Sequence, residues 1–273
     1  MKIDLSTAVG LVAGIIIISI GIVGNSGELY WFVNGISLLV VLGGTLSATL
    51  VNYSMKSLLG LYPVLKNVFT HESYEYQLVI EEIVKKAKIA RKSGVVSLEK
   101  ELNTIDDNFL RNGIELAINE RDSKRLRTFL SLEIDNIERR HASGQEIFFY
   151  MGAYAPAFGM LGTIMGLIIM MENFGGAQIG MQIDAINFNI AEKFAGLLQG
   201  MGLALITTFY GVLLSNLVFL PIGGKLKRKS QDEIMVRNII VEGIMSIHAK
   251  EHPILIHEKL MTFVQESKRP NKD

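Results

Sequence analysis

Residues 154–167 read YAPAFGMLGTIMGL. The stretch lies inside an apolar run from Ile147 to Met171, long enough to cross a bilayer, yet it contains a proline, three glycines and a threonine. A helix that only anchored the chain in lipid would gain nothing from small residues at these places. Gly159, Gly162 and Gly166, with Thr163, give small-xxx-small spacing, which lets a second helix approach closely. Pro156 adds a further demand. Inside a helix it removes one hydrogen bond and frees a carbonyl, tolerable in lipid only where protein or a water-lined cavity satisfies it. The run therefore reads as a span packed against other helices along one wall of a passage.

Working outward, a run from about Phe194 to Ile222 has the same character, with Gly196, Gly200, Gly202, Thr207, Thr208, Gly211 and Ser215, and then Pro221. Two more uncharged runs precede the pair, Leu5 to Val23 and Leu29 to Val51. Tyr30 and Trp31 open the latter, where amphipathic rings favour the membrane interface. The first run is long and the second follows after a few residues, which argues against a cleaved leader. Four transmembrane helices are expected.

Between the two pairs, residues 54–146 alternate charge and apolar residues at helical spacing, as in Leu78, Val79, Ile83 and Ala87. This insert reads as several amphipathic helices. One passes through YQLVIEEIVKKAKIARK and breaks near Gly94; one is entered at Thr104 with Asp107 three residues on; one passes through KRLRTFLSLEIDNIERR. Past Gly223 a basic cluster, Lys225 to Lys229, precedes Ser230 and Glu233, a capping-box pattern expected to open a tail helix. The fold class is all-α: a polytopic membrane protein with four transmembrane helices and a large helical cytoplasmic insert. Its segments are spans one and two at 1–53, the insert at 54–146, spans three and four at 147–222, and a tail at 223–273.

The insert and the tail hold 25 of the 27 Lys and Arg residues. Basic residues concentrate on the cytoplasmic side, so both termini are expected inside. The chain has 273 residues, of which 49% are hydrophobic and 20% charged, with a formal net charge of zero. That balance disfavours nucleic acid as a partner, since a duplex binder needs a basic face. There is no cysteine, hence no disulfide or thiolate chemistry. His248 and His252 stand four apart on the expected tail helix, without a convincing third metal ligand, and no phosphate-binding glycine loop is present. An enzyme is not expected, nor a cofactor or a metal site.

Ionisable residues inside a bilayer usually mark function, yet no span has one at mid-depth; Glu28, Glu172, Asp184 and Glu192 all fall at or between span ends. If the small, kinked spans line a cation path, its carboxylate must come from another chain. Thr163 and Thr207 could add oxygen ligands, although a threonine hydroxyl can equally bond back to its own helix.

YAPAFGMLGTIMGL and ALITTFYGVLLSNLVFLPIGGKLK closely resemble spans three and four of the MotA/PomA family, the larger subunit of the bacterial flagellar stator. SLLVVLGGTL in span two and ARKSGVVSLEKE in the insert extend the resemblance over nearly the whole chain. The connection from Gly175 to about Gly202 departs from it in looking longer. The resemblance implies a motility and chemotaxis protein of the bacterial inner membrane. Five copies would ring a dimer of a MotB/PomB-like partner whose single span carries the ion-binding aspartate. Passage of Na+ or H+ would turn the ring against the rotor protein FliG. It implies that Pro156 and Pro221 stand near the ion path, and that Arg91 and Glu99, with Lys92 beside them, engage the rotor. Thr163 and Thr207 resemble positions where sodium-driven members carry threonine, which favours sodium. A TolQ/ExbB-like subunit energising envelope transport, or a non-conducting membrane scaffold, would share some of these features; the two spans ahead of the insert favour the stator.

Overall fold

A computed structural model describes residues 4–70, 75–175 and 190–264. These form ten α-helices: α1 Leu5–Gly24, α2 Gly35–Asn52, α3 Met55–Leu59, α4 Leu61–Val68, α5 Tyr76–Ser93, α6 Asn108–Asn119, α7 Ser123–Gly175, α8 Ile190–Leu213, α9 Leu220–His248 and α10 Pro253–Met261. Two 3-10 segments, Leu29–Phe32 and Val95–Thr104, and a π-helical segment, Leu214–Phe219, complete them. Four stretches are long and apolar enough to cross a membrane: α1, Leu29–Asn52, and parts of Ser123–Glu172 and Phe194–His248. Asp184 lies outside the described residues, as do the side chains of Glu192 and Lys193.

The chain divides into two compact units. One joins Met1–His71 to Ser143–Leu226, and the other joins Glu72–Ala142 to Lys227–Asp273. The first and last residues of the expected insert thus go with the spans, while Glu72–Ala142 shares a unit with the tail.

In the span unit, α1 buries none of its residues. α2 instead buries Ser37, Val41, Thr45 and Thr49, one every four residues, which is a single helix face. The Thr45 hydroxyl donates to the Val41 carbonyl at 2.6 Å and that of Thr49 to Thr45 at 2.7 Å, so both polar groups are satisfied within their own helix. The second span is not one helix from Leu29. A 3-10 turn ends at Phe32, and α2 begins after Asn34, whose side chain accepts from the Ser37 N–H at 2.9 Å. Tyr210 of α8 bridges the break. Its hydroxyl donates to the Phe32 carbonyl and accepts from the Asn34 N–H at 3.0 Å, satisfying backbone groups that no helix covers.

In the second unit Ile80, Ile83, Leu110, Ile114, Leu126, Ile239, Ile240 and Ile244 belong to one buried core. α5 ends at Gly94, whose φ of +84° favours glycine. The next helix is capped by Asp107, which accepts from the Leu110 N–H at 2.8 Å, and not by Thr104, which closes the preceding 3-10 segment. Arg237 grips that cap, its guanidinium 3.1 Å from both Asp107 oxygens and stacked 4.9 Å over the Phe109 ring.

Two expectations fail here. Ser230 does not start a helix: α9 runs through it, and its buried hydroxyl meets His141 Nδ1 at 3.0 Å. Lys-Leu-Lys-Arg-Lys ahead of it are good helix formers, and a serine caps only where the backbone before it is extended. His248 and His252 also do not share a helix face. His248 ends α9, with Nε2 2.9 Å from the Glu120 carbonyl oxygen, whereas His252 caps α10 by accepting from the Ile254 N–H at 3.3 Å. Lys250, in the left-handed region at φ +56°, separates them. Among the described residues no group of three His, Asp or Glu could hold a metal ion.

Candidate functional site

The small residues of the opening stretch meet those of α8 backbone to backbone. A Cβ on Gly211 would stand 2.7 Å from the Ala155 carbonyl oxygen and 3.1 Å from Pro156 Cα. On Gly159 it would stand 3.0 Å from the Thr207 carbonyl oxygen, and on Gly166 3.0 Å from Ala204 Cβ and 3.1 Å from the Gly200 carbonyl oxygen. Gly162 receives the Thr207 side chain, at 2.7 Å from its would-be Cβ. A Cβ at any of these four positions would lie 2.7–3.0 Å from its nearest neighbour, so the packing would have to shift to admit one. Such packing is how helices associate where both faces are apolar.

Pro156 lies inside α7, and the carbonyl it frees belongs to Gly152, four residues earlier. Ser215 reaches across from the π-helical segment and donates its hydroxyl to that carbonyl at 2.6 Å. The proline and the donor that satisfies its freed carbonyl therefore come from different spans. π-helical turns widen the backbone, and this one runs directly into α9, which carries Pro221 at its second residue. Pro221 likewise has no N–H to give the preceding turn.

The threonines sort differently from the sequence expectation. The Thr163 hydroxyl lies within hydrogen-bonding distance of the Ala204 carbonyl oxygen (3.0 Å), its own Gly159 carbonyl oxygen (3.1 Å) and the Thr208 hydroxyl. Thr207 instead turns its hydroxyl back to the Ala204 carbonyl at 2.8 Å and is only 2% exposed. The hydroxyl pair across the two spans is thus Thr163 with Thr208. Thr208 and Ser215 were legible in principle: Gly200, Ala204, Thr208, Gly211 and Ser215 follow one another by three or four residues along a single small-residue face. Thr207 stands beside that stripe.

No carboxylate occurs in Ile147–Met171 or Phe194–Ile222, so the polar groups this pair of spans offers are neutral: hydroxyls, backbone carbonyls and the amides of Gln199 and Asn216. At the basic-rich end of the unit, Lys225 pairs with Asp4, the cap of α1, and also reaches the Thr7 hydroxyl. The Lys225 ammonium, helped by the Ser6 hydroxyl, holds the Asp4 carboxyl well below the usual carboxylate range.

Arg91, Lys92 and Glu99 belong to the other unit, and all three are exposed. Arg91 and Lys92 occupy the last turn of α5, and Glu99 lies in the 3-10 segment after Gly94. In the same helix Lys86 is buried, its ammonium 3.1 Å from a Glu101 oxygen and 2.9 Å from the Thr104 hydroxyl, tying the 3-10 segment to α5.

The sequence matches the model of the MotA/TolQ/ExbB proton channel family over residues 101–239. It is 33% identical to the uncharacterized protein YtxD of Bacillus subtilis, covering 96% of this chain and 91% of that protein. It is 32% identical to the chemotaxis protein PomA of Vibrio alginolyticus, covering 97% of each chain. The fold is similar to that in the structure of the flagellar MotAB stator complex from Bacillus subtilis, with a TM-score of 0.80, 26% identity, and 95% of this chain and 96% of that one covered. With two spans ahead of the insert and two after it, this chain belongs to the MotA/TolQ/ExbB proton channel family, on its MotA/PomA side.

Proposed function

We infer that the chain is the multi-span subunit of a flagellar stator that couples ion flow to torque on the rotor. The observation that carries this reading is the tight α7–α8 pair, which offers oxygen atoms beside a proline within the helix yet has no carboxylate in either apolar run. A path so built works only with a titrating or ion-binding acid from a second protein. The solved relative is a MotAB complex, which supports a MotB/PomB-like partner with one span and one aspartate here. Five copies of the chain around a partner dimer would place the same pair of spans at each step of a rotation. Arg91, Lys92 and Glu99 would engage FliG, since exposed charges of both signs orient a contact that must form and release. The assembly would sit in the inner membrane with both termini cytoplasmic, the orientation that the basic bias supports. We assign no catalytic role and no cofactor.

Sodium is the favoured ion. A dehydrated cation needs several oxygen ligands, whereas a proton needs only the titrating group, and Thr163 with Thr208 concentrates hydroxyl and carbonyl oxygens at one level. Swimming speed of cells driven by the reconstituted stator should collapse in sodium-free medium; unchanged speed would assign protons instead. Replacing Pro156 should abolish torque while leaving assembly with the partner intact, and unaffected torque would remove this span from the path.

A further inference from the structure

The chain leaves the second span at Asn52 and enters two short helices, α3 and α4, joined at Gly60. This elbow is fixed at both ends to the places where spans leave the hydrocarbon. One end continues directly from α2 through Tyr53 and Ser54. At the other, the Asp4 N–H donates to the Phe69 carbonyl at 2.8 Å, and Asp4 is the residue that caps the first span. An element held at two span ends on the same side lies along the membrane boundary. Its inner face, with Leu58, Leu61, Val64, Leu65 and Val68, packs on the cluster of Ile147, Phe148 and Met151.

Its outer face is apolar and uncovered. Met55, Leu59 and Tyr62 are 60%, 72% and 77% exposed, at a spacing of four and three. Lys56 and Lys66 are exposed on the same short elbow, and no Asp or Glu occurs anywhere from Leu29 to Thr70. Apolar and aromatic residues flanked by lysines, lying in the plane of the boundary, are the composition of a helix that seats in the headgroup layer.

We propose that this elbow is a binding surface for anionic phospholipid. Met55, Leu59 and Tyr62 enter the acyl boundary while Lys56 and Lys66 hold headgroup phosphates. The pairing is one of charge as well as of polarity, because a basic segment without a single carboxylate is attracted to an anionic leaflet. Through Phe69 and Asp4 the elbow is tied to α1, and through Leu61, Val64 and Leu65 it rests near α7, so bound lipid braces the span unit from outside.

The test uses the full chain, co-purified with its partner subunit and placed in nanodiscs of phosphatidylcholine with or without phosphatidylglycerol. Trp31 is the one native tryptophan, so a Trp31→Phe, Tyr62→Trp variant reports the elbow alone. Its fluorescence should be quenched by brominated phosphatidylcholine and resist acrylamide. Spin-labelled phosphatidylglycerol should associate in preference to labelled phosphatidylcholine, with Lys56→Gln and Lys66→Gln each reducing that preference by up to about five-fold and arginine at either position retaining it. Three results would overturn the proposal. Quenching by acrylamide alone means that the face meets water. Shielding from both quenchers means that a second copy of the chain covers it. A headgroup preference unchanged in the double glutamine variant means that the lysines do not read lipid charge.

Discussion

Ser215→Ala is the sharpest test of how the two proline-bearing spans are held together. The substitution removes a side-chain donor, the only one among the described residues that reaches the Gly152 carbonyl, at 2.6 Å, in a position where Ser215 is 3% exposed. Hydrogen bonds between helices in bilayers average about 0.6 kcal/mol, because separated helices find other partners. Here the carbonyl has lost its intrahelical N–H to Pro156, so the alternative is an unsatisfied buried acceptor, and the loss should reach about 1–2 kcal/mol. The control is built into the chemistry. Pro156→Ala restores an N–H that can donate to Gly152, so Ser215→Ala in that background should cost well under about 1 kcal/mol, a coupling between the two sites of about 1 kcal/mol. Equilibrium unfolding of the purified assembly in mixed detergent micelles measures all four corners of the cycle. Equal costs for Ser215→Ala with and without the proline would refute the assignment of this hydroxyl to the freed carbonyl.

Gly211→Val should destabilise the span unit by about 1–3 kcal/mol and abolish torque, because its Cβ would meet backbone atoms of Ala155 and Pro156; Gly202→Ala, with nothing within 4 Å of its Cβ, is the control that should leave both unchanged. Lys86→Met keeps the apolar stem but leaves Glu101 and Thr104 without their ammonium partner. Hydrogen exchange in Val95–Thr104 should quicken, since a ten-residue 3-10 segment is longer than its own hydrogen bonding readily sustains, and unchanged protection would deny Lys86 the anchoring role. Glu242 is held below its ordinary pKa first by the Arg127 hydrogen bond at 2.7 Å and then, against the opposing effect of burial, by Lys259 at 3.1 Å. A depressed carboxylate stabilises the fold above the unfolded pKa and loses that contribution as pH falls through the folded value, so Glu242→Gln should flatten the acid limb of a stability–pH curve. An acid limb of unaltered slope would place the pH sensitivity elsewhere.

What the sequence made legible depended on how local the controlling physics is. Spans of about twenty apolar residues are imposed by the thickness of the hydrocarbon, and each is complete within its own stretch of chain. The chemistry of Pro156 is equally local, so its freed carbonyl could be expected before any partner was known. The partner could not, because Ser215 reaches Gly152 only through the pairing of two spans. The sharing of one core by insert and tail is non-local in the same way, with Ile239, Ile240 and Ile244 buried together with Ile80 and Ile83. The capping-box reading of Ser230 failed because a local signal was credited without the extended backbone it needs.

Thr207 and Thr208 show where hydropathy itself stops informing. In water a buried helix face is marked by apolar residues, but inside lipid both faces are apolar and the usual period carries no orientation. Two adjacent residues differ by about 100° around a helix, enough to move a hydroxyl from the partner span to its own backbone. The coordinate that does orient a span is side-chain volume, because only small residues allow the approach at which Gly159, Gly166 and Gly211 face backbone atoms near 3 Å from their would-be Cβ positions. Read by volume, the stripe Gly200, Ala204, Thr208, Gly211, Ser215 selects Thr208 and leaves Thr207 at its edge. The same stripe gives the ion-path reading a discriminating consequence. Thr208→Val should alter the sodium dependence of torque, because it removes a hydroxyl from the Thr163 pair; Thr207→Val, whose hydroxyl is already bonded to Ala204, should alter packing against Gly162 and leave that dependence in place. Torque measured across a sodium titration separates the two, and a sodium response lost in Thr207→Val but kept in Thr208→Val would reverse the assignment.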